Sequence, residues 1–207
     1  ACRSMSAMIC GIAAYHYWRI FGQFADGGTW NEGYRYADWL LTVPLLVAEL
    51  VVVSGLSKEA AKKVTPRLVV AALLMIATGY PGETAAAGSS TRTVWGIISS
   101  IFMLYVLYEL FAGEVGKSLK SQSGEVGSKL NNVRYLLLFT WGVYPITFIM
   151  AMNDVGAPSF DAVVSREIGY SIADILAKCV FGLIIFTVAR IKSAEESKEF
   201  AAAELRD

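Results

Sequence analysis

Six apolar stretches constrain this chain more than any other feature. They run over residues 4–21, 34–54, 67–80, 93–113, 133–152 and 167–190, each bounded by Gly, Pro or charge. Most approach the ~20 residues that an α-helix needs to cross a hydrocarbon core. The 67–80 stretch is short and reaches toward an interface through Thr78, Gly79 and Tyr80. Only 17% of the 207 residues are charged, 55% are hydrophobic, and mean hydropathy is +0.49. Soluble domains carry about 25% charged residues, so the composition points to a membrane protein and excludes a disordered chain. The 18 basic residues are balanced by 18 acidic ones, which leaves no basic surface for nucleic acid. Cys2, Cys10 and Cys179 are too few for a disulfide framework, and no Cys/His cluster suggests zinc or another metal. An all-α membrane bundle over 1–191, followed by a charged tail over 192–207, is the predicted architecture.

Residues 1–20 lack a signal-peptide pattern, because Tyr15, His16 and Tyr17 interrupt the apolar run and no small-residue cleavage site follows. The first residue is Ala1, not Met, so the native protein is expected to extend upstream. Loop charge sets orientation. Lys58, Lys62, Lys63 and Arg67 lie in one loop, and Lys117, Lys120, Lys129 and Arg134 in another. The alternate loops hold only Arg92 and Arg166. The positive-inside rule places the two basic loops in the cytoplasm. Both chain ends then lie inside as well, and one further helix upstream would make seven.

Charges within apolar segments are costly, about 2.5–3.5 kcal/mol each at a helix centre on insertion scales, so each needs a partner or a role. Lys178 lies mid-segment, and Asp174 precedes it by one turn on the same face. The pair reads either as a buried structural ion pair or as a desolvated lysine able to form an imine with an aldehyde. A second polar stripe runs through the 34–54 segment. Arg35, Asp38, Thr42 and Glu49 share one helical face, with Asp38 and Glu49 about 16 Å apart along the axis. His16, the only histidine, reads on its own as a satisfied core residue. Trp39, Trp141 and Tyr144 read as packing, and Pro145 as a kink that opens local space.

Three motifs resemble the microbial rhodopsins, most closely the proteorhodopsin and xanthorhodopsin-like proton pumps. Residues 35–44 (RYADWLLTVP) are similar to the family's third-helix signature, residues 141–145 (WGVYP) to its sixth, and residues 174–178 (DILAK) to its seventh-helix retinal site. The resemblance covers nearly the whole chain, from the family's second helix to its seventh. It implies a seven-transmembrane-helix bundle of the microbial rhodopsin type, with about six helices in this chain and the first helix missing.

The resemblance also implies roles. Lys178 would carry all-trans-retinal as a protonated Schiff base. Asp38 would be counterion and proton acceptor, Asp174 the second counterion, Thr42 the middle motif position and Glu49 the cytoplasmic proton donor. Arg35 would balance the two aspartates. His16 would pair with Asp38. Trp39, Trp141, Tyr144 and Pro145 would line the pocket, and Leu46 would occupy the spectral-tuning position that goes with green absorption. Gly96 would leave a window beside the retinal ring for a carotenoid antenna. Glu167 is the one candidate for proton release. The implied activity is light-driven outward proton pumping, a transport rather than an enzymatic function, in a bacterial inner membrane with the C-terminus cytoplasmic. Its partners would be the bilayer, protons and further copies of the chain in a homo-oligomer, with no nucleic acid. A photosensor coupled to a transducer is the alternative in the same fold. A light-independent transporter or scaffold is the alternative from another class.

Overall fold

The computed structural model describes residues 2–27, 32–153 and 160–204. Among them the regular elements are all helical. They are α1 (Cys2–Ala25), α2 (Gly33–Val53), α3 (Lys58–Thr84), α4 (Ser90–Phe111), α5 (Glu114–Ser121), α6 (Gly124–Asn153), α7 (Phe160–Asp174) and α8 (Phe181–Glu204). A π-helical turn, Ile175–Val180, joins α7 to α8, so the last three elements form one rod. The described residues thus make six long rods, with α5 a short connector.

Sequential rods pack side by side from α1 to α4; α6 then packs on α4 and α8, and α8 returns to α1, closing the ring. α2 also touches α8 across the interior. The bundle inverts the usual polarity of a protein surface. Arg35, Asp38, Thr42, Glu49, Asp174 and Lys178 are all buried, whereas Trp18, Phe21, Phe139 and Leu183 are each more than 60% exposed. Such an exterior suits lipid, and a polar interior suits a site. Four helical segments among the described residues are long and apolar enough to cross a membrane: Gly33–Val53, Lys58–Thr84, Ser90–Ser121 and Val164–Lys198. Among the described residues α1 is less apolar than these segments. His16 and Arg19 dilute it.

The helices outrun the apolar stretches that announce them. The backbone of Ala60 donates to the Ser57 hydroxyl at 3.2 Å, capping α3 in the manner favoured at helix starts. Lys58, Lys62, Lys63 and Arg67 therefore sit on the opening turns of α3 rather than in a loop. Likewise α5 forms within the basic 113–134 segment, and α8 carries helix through Lys192 into the tail. The two basic segments meet at one end of the bundle, where Ser118 Oγ donates to the Ser54 carbonyl at 2.9 Å and Lys192 Nζ to the Val53 carbonyl at 3.0 Å.

Candidate functional site

Lys178 sits in the π turn, directly after the turn that bears Asp174. π turns concentrate at functional sites because they shift the side-chain register of an otherwise regular helix. Lys178 Nζ donates to Asp174 Oδ2 at 2.9 Å and also to Asp38 Oδ2 of α2. All three side chains are nearly inaccessible. Three further donors converge on Asp174. Tyr17 of α1 donates at 2.7 Å, the Trp39 indole at 3.1 Å to Oδ2 and 3.2 Å to Oδ1, and the Tyr144 hydroxyl of α6 also donates to Oδ1. Asp174 is thus fixed from three helices. Asp38 is held by less: its Oδ1 is buried with no hydrogen-bond partner among the described residues. Thr42 donates to the Asp38 backbone carbonyl at 2.9 Å, not to its carboxylate.

Arg35 makes no direct hydrogen bond to either aspartate among the described residues. Its guanidinium donates to Tyr17 Oη at 3.0 Å, to Glu32 at 3.3 Å, and to Glu167 of α7. Tyr17 therefore stands between the Arg35 charge and Asp174. The cluster continues outward from there. Arg166 binds Glu32 at 2.6 Å, Glu167 at 3.1 Å and Glu83 of α3 at 3.4 Å, and Arg92 of α4 closes on Glu83 at 3.5 Å. Most members hold two or more opposite charges, so the cluster is a shared network rather than a set of isolated pairs.

On the other side of Lys178, Glu49 is fully buried in α2. Its Oε1 accepts a 2.5 Å hydrogen bond from Ser6 of α1, and its Oε2 has no partner among the described residues. His16 is half-buried, and its Nδ1 lies 2.9 Å from the Ile12 carbonyl of its own helix. No hydrogen bond joins His16 to Asp38 among the described residues.

A cavity of about 410 Å³ opens from Lys178 and Asp174. Trp39, Leu46, Trp141, Tyr144, Pro145 and Gly96 are among the residues that line it. Trp39 packs edge-on against Tyr144 at 4.8 Å between ring centroids, which stiffens the wall beside the lysine. Pro145 lacks the amide that would complete the local helix ladder. A Cβ on Gly96 would come within 2.5 Å of Phe148 Cε1, so the phenyl ring of α6 packs directly on that glycine. A mostly apolar, aromatic-lined cavity of this size with one amine at its end is suited to a long apolar aldehyde.

Several site residues escape a reading of the segments one at a time. Glu32 precedes Arg35 by three residues, a spacing that is visible in the sequence. Ser6 and Tyr17 lie eleven residues apart, about three turns, on one face of α1, which also could have marked them. Glu83, Arg92 and Arg166 gave no local signal, because their pairing joins three different rods.

Residues 2–192 match the family model of bacteriorhodopsin-like proteins. The green-light absorbing proteorhodopsin of Gamma-proteobacterium EBAC31A08 is 34% identical over 188 residues, covering 90% of this chain and 72% of that relative. Among solved structures, xanthorhodopsin, described as a light-driven ion pump with dual chromophore, superposes with a TM-score of 0.86 at 41% identity, covering 94% of this chain and 81% of that one. A thermophilic rhodopsin gives a TM-score of 0.84 at 41% identity, with coverage of 93% and 81%. A buried lysine gripped by two aspartates at the end of an aromatic cavity, in a bundle that superposes this closely, thus coincides with a family match over nearly the full chain: the protein belongs to the bacteriorhodopsin-like family and is a microbial rhodopsin of the proteorhodopsin and xanthorhodopsin type.

Proposed function

We propose that the protein is a light-driven pump that moves protons outward, with retinal held by Lys178. The observation that carries this reading is the placement of three buried carboxylates: Asp38 and Asp174 on Lys178 Nζ, and Glu49 separate from them farther along α2. When bound through Lys178, retinal supplies visible-light absorption and photoisomerisation. Trp39, Leu46, Trp141, Tyr144 and Pro145 hold it and keep water out.

The residues of the chain then divide the proton work. Lys178 Nζ holds a proton in the dark between Asp38 and Asp174, because two anions favour the cation. Asp38 is the acceptor: it is the less heavily bonded of the two carboxylates, whereas Asp174 is committed to Tyr17, Trp39 and Tyr144 and stays an anion. Arg35, one turn before Asp38 on α2, and Glu167, Glu32 and Arg166 supply the exit for the proton that Asp38 releases. Glu49 returns a proton to Lys178 from the opposite side.

Direction follows from charge asymmetry. Lys58, Lys62, Lys63, Lys117 and Lys120 gather near the Glu49 end, which the positive-inside rule assigns to the cytoplasm together with the C-terminus. The Glu32–Glu83–Arg92–Arg166 cluster marks the outer end. We assign the Gly96 face of the cavity to a carotenoid antenna, which needs the Phe148 ring on that glycine to turn aside. Further copies of the chain are expected to assemble through the lipid-facing apolar surface.

The assignment of Lys178 is tested by adding retinal to membranes that contain the protein. A visible band is expected for the unaltered chain and none for Lys178→Ala, with equal amounts of protein inserted. A visible band that survives in Lys178→Ala would overturn the assignment. Colour without any light-driven pH change would identify a sensor instead.

A further inference from the structure

Two thiols stand beside this site and have no part in the mechanism above. The Cys10 thiol of α1 donates to Cys179 Sγ at 3.7 Å. Cys179 follows Lys178 directly in the π turn, and Cys10 follows Ser6, the partner of Glu49, by one turn of α1. Cys10 is half-buried and Cys179 is exposed on the outer surface of a membrane-spanning segment, where an uncharged oxidant such as hydrogen peroxide arrives through the bilayer. Both are free thiols.

We infer that Cys10 and Cys179 form a reversible disulfide, a redox-controlled tie between α1 and the π turn that carries Lys178. A disulfide needs the sulfurs about 2.05 Å apart, so the gap must close by roughly 1.7 Å, which side-chain rotation and a small helix shift can supply. The oxidant is a peroxide. One thiolate attacks the peroxide O–O bond, giving a sulfenic acid and water; the second thiol displaces a further water as the S–S bond forms. Two thiols lose two hydrogens and two electrons, and hydrogen peroxide is reduced to two waters. A dithiol reductant reverses the step by exchange.

The consequence rests on the function proposed above. Ser6, which fixes Glu49, and Cys10 lie on the same face of α1. Tying Cys10 to the residue after Lys178 removes the freedom of α1 to move away from α8. Proton return from Glu49 to Lys178 needs that freedom to admit water between them, so oxidation slows the return. The competing account treats both cysteines as small apolar residues packed side by side.

The test uses Cys2→Ser protein in membranes, which removes the third thiol. The protein is treated with hydrogen peroxide, blocked with an alkylating agent and digested. A peptide pair joined through Cys10 and Cys179 is expected, two hydrogens lighter than the dithiol form and separated again by dithiothreitol. Recovery of both thiols fully alkylated would overturn the tie. In flash experiments on the retinal-loaded protein, the state in which the Lys178 nitrogen has lost its proton is expected to decay about threefold more slowly after peroxide. Dithiothreitol should restore the rate, and Cys10→Ser should not respond. A joined peptide with unchanged decay would overturn the control role. Failure of retinal to bind would refute the pump, whereas the joined peptide would still decide the tie.

Discussion

The Ser6 hydroxyl of α1 donates to Glu49 Oε1 of α2 at 2.5 Å, while Glu49 Oε2 is buried with no partner among the described residues. One oxygen is thus positioned by a neighbouring helix and the other is left to carry a proton. Ser6→Ala should slow proton return to Lys178 by about three- to tenfold, the scale of one hydrogen bond worth about 0.5–1.5 kcal/mol. The colour should not change, since Ser6 does not line the cavity. Flash spectroscopy reads both, and an unchanged rate would show that Ser6 does not set the Glu49 geometry.

Glu49→Gln removes the donor itself. The visible band should persist, and decay of the light-induced state lacking the Lys178 proton should become slow and dependent on bulk pH, because the proton must then come from solution. Decay that matches the unaltered protein at every pH would exclude Glu49 as the donor.

Arg166→Gln strips the cation that Glu32, Glu83 and Glu167 share. Three acidic groups would then crowd one partly buried site with Arg35 and Arg92 as the remaining cations. A loss of about 1–3 kcal/mol is expected. The check is thermal loss of the visible band, which should occur at lower temperature than in the unaltered protein. An equal midpoint would mean that water already screens this cluster.

The site was legible in the sequence wherever its logic is local. Asp174 and Lys178 are four residues apart, and Arg35, Asp38 and Glu49 lie on one face of one helix, so their joint burial follows from helical spacing. Contacts between rods were not legible. Ser6 and Glu49 are 43 residues apart, and Tyr17 and Asp174 are 157 apart. No spacing rule reaches across such distances. Arg35 shows the limit: the spacing puts it on the face of Asp38 but does not reveal that Glu167 and Tyr17, from other rods, hold it. The π turn was also hidden, since Ile175–Val180 has the composition of ordinary helix. Helix lengths were underread because an apolar stretch marks only the part in lipid. Backbone hydrogen bonding continues into water, as the capped first turns of α3 show.

Gly96→Trp tests the lateral window. The position already meets Phe148, so an indole would have to displace that ring or fill the opening. An action spectrum of pumping with added hydroxylated carotenoid should show blue carotenoid bands in the unaltered protein and lose them in Gly96→Trp. A lack of those bands in the unaltered protein would reject the antenna, and equal bands in both would place it elsewhere.

The account stands most directly on the direction and origin of proton movement. Cells that contain the protein and retinal, in weakly buffered suspension, should acidify the medium on illumination. A protonophore should abolish the change, and so should Asp38→Asn, which keeps the shape of the acceptor and removes its charge. Light-driven acidification that persists undiminished in Asp38→Asn, or alkalinisation by the unaltered protein, would contradict the account.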